Sequence, residues 1–215
     1  MSTTPVRVPA RDRRLQIMQA AKRLFARQGF DGTTTREIAA RARVNEAIIF
    51  RHFPSKEDLY WAIIDGQCEA GGWQQGLKRQ LDSGASDREV FIGIAEEILI
   101  RRAKDTNLSR LLLYSALENQ RRSQRFFQTH VVAYYELIAE YIRRRIQEKA
   151  FRPVDPLLAA RGFVGMIVYH SLIQEIFGAK RYQNFDVKQV STALTDIWLG
   201  GMKSSNGQAP RHDPR

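Results

Sequence analysis

The sequence predicts an all-α protein with a small N-terminal domain and a larger helical domain behind it. Apolar residues recur at helical spacing along most of the 215 residues, and residues that cap helices precede these stretches. No alternating run of apolar and polar residues is long enough to favour a sheet. The content of 43% hydrophobic and 27% charged residues is typical of globular proteins.

The helices are predicted mainly from their ends. An apolar face within residues 17–25 predicts a first helix, which Gly29 closes. Thr34 and Glu37 have the spacing of a capping box, which opens a second helix. Asn45 is a good cap for a third, short helix. Later helices are predicted to begin at the capping residues Ser55, Ser86, Asn107, Ser123, Asp155 and Asp186.

Residues 33–59 contain two short helices joined by a tight turn. Ile49 and Phe53 should anchor the second of these helices, residues 46–53, to the core. A short helix that a preceding helix holds away from the body of a protein can enter the major groove of DNA. The open side of this helix is predicted to present Glu46, Ala47, Ile48, Phe50, Arg51 and His52.

Positive charge is concentrated near the N-terminus. The chain has a net charge of +11, and its first 60 residues contain 12 Lys/Arg against 6 Asp/Glu. A basic N-terminal third indicates a polyanionic partner such as nucleic acid. Solubility alone would explain the same composition, so charge leaves both interpretations open.

An ordered set of residues near the N-terminus stands out by its spacing. The set comprises Ile17, Ala20, Ala21, Leu24, Phe25, Gly29, Phe30, Thr34, Glu37, Ile38, Ala39, Val44, Asn45, Phe50, His52, Phe53, Ser55, Lys56, Glu57 and Leu59. In this order and spacing, the residues resemble the DNA-binding region of the TetR family of transcription regulators. The resemblance covers about 50 residues. It implies a dimeric regulator with a helical ligand domain.

The chemistry of this segment agrees with the implied role. Thr34 and Thr35 stand at a helix N-terminus that suits a phosphate, and Arg36 and Lys56 can also bind phosphate. Arg51 can reach a phosphate or the edge of a guanine. The predicted DNA-contacting residues are Thr34, Thr35, Arg36, Glu46, Ala47, Ile48, Phe50, Arg51, His52 and Lys56. The alternative is that some of these residues only cap or pack a helix.

Three residues depart from the family pattern. Arg43 stands in the turn where glycine is usual, so we expect the turn to bend differently. Phe50 replaces a tyrosine and lacks its hydroxyl, and Ile48 replaces a threonine. We therefore expect an unusual operator preference.

The larger domain is predicted to contain the dimer interface. Residues 157–177 are apolar all round, so this helix must be covered on every side. We expect it to form a homodimer bundle with the last helix, as the resemblance also implies. The predicted interface residues are Gly162, Gly165, Val168, Leu172, Leu194 and Trp198. The alternative is a central helix buried within one chain.

A ligand pocket is predicted in the same domain. Its candidate lining residues are Phe91, Tyr114, Phe126, Phe127, Tyr134, Phe163, Met166, His170 and Gln174, with Tyr114, His170 and Gln174 as polar groups. The apolar balance favours an apolar or aromatic effector. Binding is expected to tilt the fourth helix and lower the affinity for DNA. Ordinary core packing would explain the same aromatic residues.

Other functional classes are disfavoured. We find no metal-ligand spacing, nucleophile elbow or glycine-rich phosphate loop, so we expect no enzyme, cofactor or metal site. Cys68 is the single cysteine, which suits a reducing, cytoplasmic location. The longest largely apolar stretch, residues 163–173, is shorter than the roughly 20 residues of a membrane span. A helical dimer that has lost operator binding stays open as a rival.

The sequence therefore predicts a ligand-responsive transcription regulator, by family default a repressor, although activation stays open. It would bind a pseudo-palindromic operator in double-stranded DNA as a homodimer, and a small-molecule effector would release it. The DNA-binding helix-turn-helix domain is placed at residues 11–64, and the sensing and dimerisation domain at 65–203. Residues 1–10 and 204–215 are expected to be disordered tails.

Overall fold

The computed structural model describes residues 9–70, 72–118 and 120–203. The described residues contain α-helices, one π-helical segment, Phe127–Val131, and one 3-10 turn, Ala179–Arg181, but no strand. The helices are α1 Ala10–Gln28, α2 Thr35–Arg41, α3 Glu46–His52, α4 Lys56–Ala70, α5 Trp73–Leu81, α6 Asp87–Lys104, α7 Thr106–Glu118, α8 Gln120–Phe126, α9 Val132–Gln147, α10 Pro156–Glu175 and α11 Val187–Met202. The all-α prediction is confirmed.

Most predicted helix boundaries are confirmed by their hydrogen bonds. Thr34 and Glu37 form the reciprocal capping box at α2, and the Asn45 side chain accepts a hydrogen bond from the backbone N–H of Ile48 at α3. Asp155 and Asp186 cap α10 and α11 in the same way. Helix α1 begins at Ala10, inside the expected N-terminal tail, whereas residues 1–8 and 204–215 lie outside the described residues.

Two predicted caps are wrong. The carboxylate of Asp105, not the side chain of Asn107, accepts a backbone N–H at the start of α7. Ser123 lies inside α8 and does not begin a helix, since α8 already begins at Gln120 and π-helical residues separate it from α9. A π-helical turn contains more residues than an α-helical turn, so helical periodicity gives no sign of it. Helix α5 was not predicted.

The described chain divides into two compact units. Unit 1 comprises the described residues of 1–73 and 105–127, and unit 2 those of 74–104 and 128–203. The compact unit that contains the helix-turn-helix is therefore larger than the predicted domain of residues 11–64, because α7 and α8 pack with it. The division of function between residues 11–64 and 65–203 stays a prediction.

The core of unit 1 is formed where α1, α2, α3 and α4 converge and α7 packs against α1. Its centre is a group of aromatic rings. Phe25, Phe30 and Tyr60 contact one another with centroid distances of 5.4–5.6 Å, and Trp61 packs edge-on against Tyr60. These side chains hold the first four helices in one cluster.

The core of unit 2 is formed by α6, α9, α10 and α11. The rings of Phe91, Phe163 and Trp198 lie within 5.1 Å of one another, centroid to centroid. Trp198, which we predicted for the dimer interface, is thus part of its own unit's core. Its Nε1–H donates to the backbone carbonyl of Ala159 at 3.2 Å.

Helix α10, Pro156–Glu175, is longer than the largely apolar stretch of residues 163–173 on which the sequence analysis rejected a membrane span. By length and composition alone it would suffice to cross a membrane, a test that core helices of soluble proteins also pass. Phe163, Val164 and Ile167 are buried inside unit 2. One face of α10 therefore serves as core.

Tyr141 provides a test of the packing at one end of unit 2. Its hydroxyl donates to the Asp87 carboxylate at 2.6 Å, and Arg145 binds the same carboxylate. We expect Tyr141→Phe to lower the free energy of unfolding by about 1.5–3 kcal/mol, the usual net contribution of a hydrogen bond to a charged group. Urea unfolding at pH 7 measures this loss, with the exposed Tyr182→Phe as matched control.

The same pair predicts a pH dependence. Burial and the Asp87 carboxylate raise the pKa of Tyr141 above its ordinary value of 10.0. The folded pKa then exceeds the unfolded one, so the contribution of Tyr141 to stability is complete below about pH 10 and is lost as the pH rises through the folded pKa. The wild type should lose stability above pH 10 more steeply than Tyr141→Phe. Parallel pH profiles would contradict this.

Candidate nucleic-acid interface

The turn between α2 and α3 keeps a left-handed residue although that residue is not glycine. Arg43 has a φ of +52°, and the N–H of Val44 donates to the carbonyl of Ala39 at 3.0 Å. The expectation that the turn would bend differently is therefore wrong. A left-handed non-glycine residue costs about 1–2 kcal/mol, which the burial of Ile38 and Ala42, both just before Arg43, offsets.

Helix α3 turns one face into the core and another outward. Ile49 is fully buried and Phe53, at its C-terminus, is 2% exposed. Ala47, Phe50 and Arg51 lie on the exposed side, with Phe50 47% exposed. Of the other residues predicted for the open side, Glu46, Ile48 and His52 are only partly exposed. The outward edge of α3 is thus narrower than the sequence suggested.

Two side chains predicted to contact DNA bond to each other. The hydroxyl of Thr35 donates to the carboxylate of Glu46, which joins the start of α2 to the start of α3. Thr34 is occupied as a cap, and its hydrogen bonds lower the pKa of Glu37. Arg36 is exposed. These contacts fix the spacing of the two helices.

Lys56 lies against the corner between α1 and α2. Its ammonium donates to the carbonyls of Phe30 and Thr33 at 2.9 and 2.8 Å. It also lies 4.2 Å from the centroid of the Phe30 ring, a cation–π distance. Two backbone carbonyls therefore occupy donors of the Lys56 ammonium, which the sequence predicts to bind phosphate.

The same corner is held by residues that sequence reasoning missed. The carboxylate of Glu118 accepts the N–H of Phe30 at 3.0 Å. The buried guanidinium of Arg122 lies 3.9 Å from the Phe30 ring centroid and pairs with Asp31. These residues belong to α7 and α8, about 90 positions along the chain from Phe30. No local spacing pattern in the sequence indicates such contacts.

Comparison with known proteins identifies the chain. Residues 17–63 match the family described as bacterial regulatory proteins, tetR family. The nucleoid occlusion factor SlmA of Vibrio campbellii is 30% identical over 186 residues, which cover 81% of this chain and 91% of SlmA. The chain belongs to the TetR family.

Solved structures with the same fold align with most of this TetR-family chain. AibR, in complex with isovaleryl coenzyme A and operator DNA, matches with a TM-score of 0.69 at 21% identity, covering 86% of this chain and 97% of AibR. FadR from Bacillus subtilis, in complex with stearoyl-CoA, matches with a TM-score of 0.68 at 19% identity, covering 87% and 98%. Over the matched part of the chain, the fold is therefore that of a TetR-family regulator.

The predicted dimer residues of this TetR-family regulator lie at different depths. Gly162 and Gly165 are exposed, and a Cβ at either would meet nothing within 4 Å. Val168, Leu172 and Leu194 are half-buried. Three apolar side chains beside them on α10 and α11 are exposed, namely Leu158, Tyr169 and Ile197.

The predicted ligand residues are divided between the two units. Tyr114, Phe126 and Phe127 belong to unit 1, where the Tyr114 hydroxyl donates to the carbonyl of Arg27 at 3.2 Å. The others belong to unit 2, where Phe91 and Phe163 are fully buried in the aromatic core. A surface groove of about 380 Å³ in unit 2 contains none of the predicted residues. It is lined by Gln74, Lys78, Ala133, Glu136, Leu137 and Glu140.

The corner contact of this TetR-family regulator can be tested at Gly29. This residue has a φ of +77°, and a Cβ there would overlap the Glu118 carboxylate. We expect Gly29→Ala to lower the free energy of unfolding by more than the 1–2 kcal/mol, roughly, of backbone strain alone. Gly84→Ala is the matched control, since Gly84 has a φ of +72° and open space around it. Equal losses in urea unfolding would show that the Glu118 contact contributes nothing.

Proposed function

We propose that the protein is a homodimeric, ligand-responsive repressor that binds a pseudo-palindromic operator through α3. The observation that carries this proposal is the orientation of α3, whose buried Ile49 and Phe53 leave Ala47, Phe50 and Arg51 on a free edge. A helix presented in this way can lie in the major groove. Arg51 would then donate to a guanine or a phosphate, and Phe50 and Ala47 would contact thymine methyl groups.

The charges around α3 support binding to a duplex. Arg36, Arg41, Arg43 and Arg51 are all exposed on α2, the turn or α3. Such side chains neutralise phosphates and position a protein without reading sequence. We assign Lys56 to the same region through its positive charge, while its hydrogen bonds hold the α1–α2 corner in place.

Dimerisation would use the outer face of α10 together with α11. Leu158, Gly162, Gly165 and Tyr169 follow one another at helical spacing on α10, and Ile197 is exposed on α11. Glycine at two of these positions allows a second backbone to approach closely. A two-fold dimer would present two copies of α3 to half-sites about one helical turn of DNA apart.

The proposed effector is a small molecule with an apolar body, which acts in the cytoplasm. TetR-fold neighbours in complex with isovaleryl coenzyme A and stearoyl-CoA support binding of such a body. We propose that the effector lowers DNA affinity by a population shift. We propose α7 and α8 as a route for this effect besides α4, because they contact the α1–α2 corner and are flanked in sequence by α6 and α9 of unit 2.

Arg51 gives the direct test of operator binding. Fragments of genomic DNA selected by the purified full-length protein should share a palindrome, and Arg51→Ala should weaken binding to it. We expect a loss of about 1–3 kcal/mol, which is the discrimination that a matched base contact supplies. Fluorescence anisotropy with a labelled duplex measures the loss. Arg143→Ala, which removes an exposed arginine from α9, is the matched control.

Salt dependence separates this function from its rival, a helical dimer without operator binding. Phosphate contacts release counterions, so affinity should fall steeply as salt rises. Failure of the wild-type protein to bind any duplex at low salt would contradict the proposed function. Equal affinities of Arg51→Ala and wild type would remove the assigned role of α3.

A further inference from the structure

Unit 2 contains an arginine whose charge is not compensated. Arg102, near the C-terminal end of α6, is half-buried, and its buried Nε has no hydrogen-bond partner. Among the described residues, no carboxylate forms an ion pair with it, whereas the neighbouring Arg101 pairs with Glu97. Burial lowers the pKa of Arg102, as expected for a cation that lacks a counterion.

A second polar group in unit 2 is also without a partner. Gln174, in the last turn of α10, is only 8% exposed, and its Oε1 makes no hydrogen bond within the described part of the chain. Most buried polar atoms in folded proteins are hydrogen-bonded. An orphaned acceptor at this depth therefore indicates that a partner is missing.

The direction of the helices shows how these two groups are related. Helices α6 and α9 run antiparallel, because Asp87 at the start of α6 binds Arg145, while Arg102 at its end acts electrostatically on Tyr135 near the start of α9. Helices α9 and α10 pack together and are joined by residues 148–155, so they too are antiparallel. Helices α6 and α10 therefore run in the same direction.

Arg102 and Gln174 consequently lie at the same level. The rings of Phe91 on α6 and Phe163 on α10 are in contact, with centroids 4.9 Å apart. Arg102 and Gln174 each follow their ring by 11 residues, which is about three helical turns. Each therefore lies on the same face of its helix as the ring. The unpartnered Nε of Arg102 and the unpartnered Oε1 of Gln174 thus face the same region of unit 2.

The charged groups around this region are positive or already paired. The guanidinium of Arg102 acts on the Tyr135 phenol and partly offsets the rise that burial causes in the pKa of Tyr135. Burial lowers the pKa of His170, one turn before Gln174, and so disfavours its charged form. The nearby Glu175 is paired with Lys180. The region therefore favours an anion.

The helices contribute apolar side chains next to these polar groups. Leu99 lies one turn before Arg102 on α6, and Tyr134 and Ile138 lie beside and after Tyr135 on α9. All three are buried. A ligand that reaches Arg102 would thus contact apolar residues along the rest of its length.

We propose that Arg102 and Gln174 form the polar end of an effector site in unit 2, and that this site takes an organic acid with an apolar body. The guanidinium donates to a carboxylate or to a phosphate ester, both of which match its planar fork. A hydroxyl or N–H beside the acid donates to Oε1 of Gln174. The inference refines the ligand-sensing part of the proposed function, which predicted Gln174 and His170 but not Arg102, and its regulatory consequence rests on that function.

The ligand-free protein gives the first test. Arg102→Met removes a half-buried charge that lacks a counterion, so we expect it to raise the midpoint of thermal unfolding. Arg101→Met is the matched control, because it breaks an ion pair on the same helix and should not raise the midpoint. If Arg102→Met lowers the midpoint as Arg101→Met does, Arg102 is a structural residue and the proposal is overturned.

Binding of defined probes gives the second test. Calorimetry on the full-length protein without DNA compares butanoate, octanoate and octyl phosphate with the neutral alcohols butanol and octanol. We expect at least one anion to bind about ten times more tightly than the alcohol of the same chain length. Whether the carboxylates or the phosphate ester bind more tightly identifies the chemical class of the ligand. Arg102→Met should abolish the preference, and Arg143→Met should keep it. Absence of any preference in the wild type overturns the proposal.

The effect of the bound probe on DNA affinity is measured separately. Anisotropy with the labelled duplex, repeated with the bound probe, shows whether occupancy of this site changes DNA affinity. If the protein binds the anion and its DNA affinity does not change, the site is supported and its sensing role is contradicted. If the protein binds duplex but no anion, the proposed function is supported and the proposed site is overturned.

Discussion

The burial of Ile49 and Phe53 against the aromatic core of unit 1 is the interaction on which the orientation of α3 depends. Each buried side chain of this size contributes about 1.5–3 kcal/mol. Rotating α3 by half a turn would expose both, at a cost comparable with much of the 5–15 kcal/mol, roughly, by which a domain is stable. The left-handed Arg43, at about 1–2 kcal/mol, is tolerated because this burial outweighs it.

The α1–α2 corner extends this constraint to the rest of unit 1. Phe30 is contacted by Lys56 from the start of α4 and by Arg122 from α8, while Glu118 holds its backbone N–H. The position of the corner therefore depends on α7 and α8 as well as on α4.

Local features were predictable from sequence, and long-range ones were not. The capping box of Thr34 and the cap of Asn45 follow from short-range chemistry, and periodicity identified Ile49 as buried. The clamp on Phe30 escaped prediction because its partners are about 90 residues away. Trp198 was assigned to an interface because an apolar helical face gives no sign of whether its own unit covers it. Arg102 was missed since an unpaired charge is recognised only once its surroundings are known.

Amide hydrogen exchange along the full-length protein, with and without a bound duplex, tests the central claim most directly. The account predicts slower exchange in α2, the turn and α3 when DNA is bound, because these backbone segments lie against the groove. Exchange in the core of α6, around Phe91, should stay unchanged. A protein that binds duplex with α3 as open to exchange as before would contradict the account.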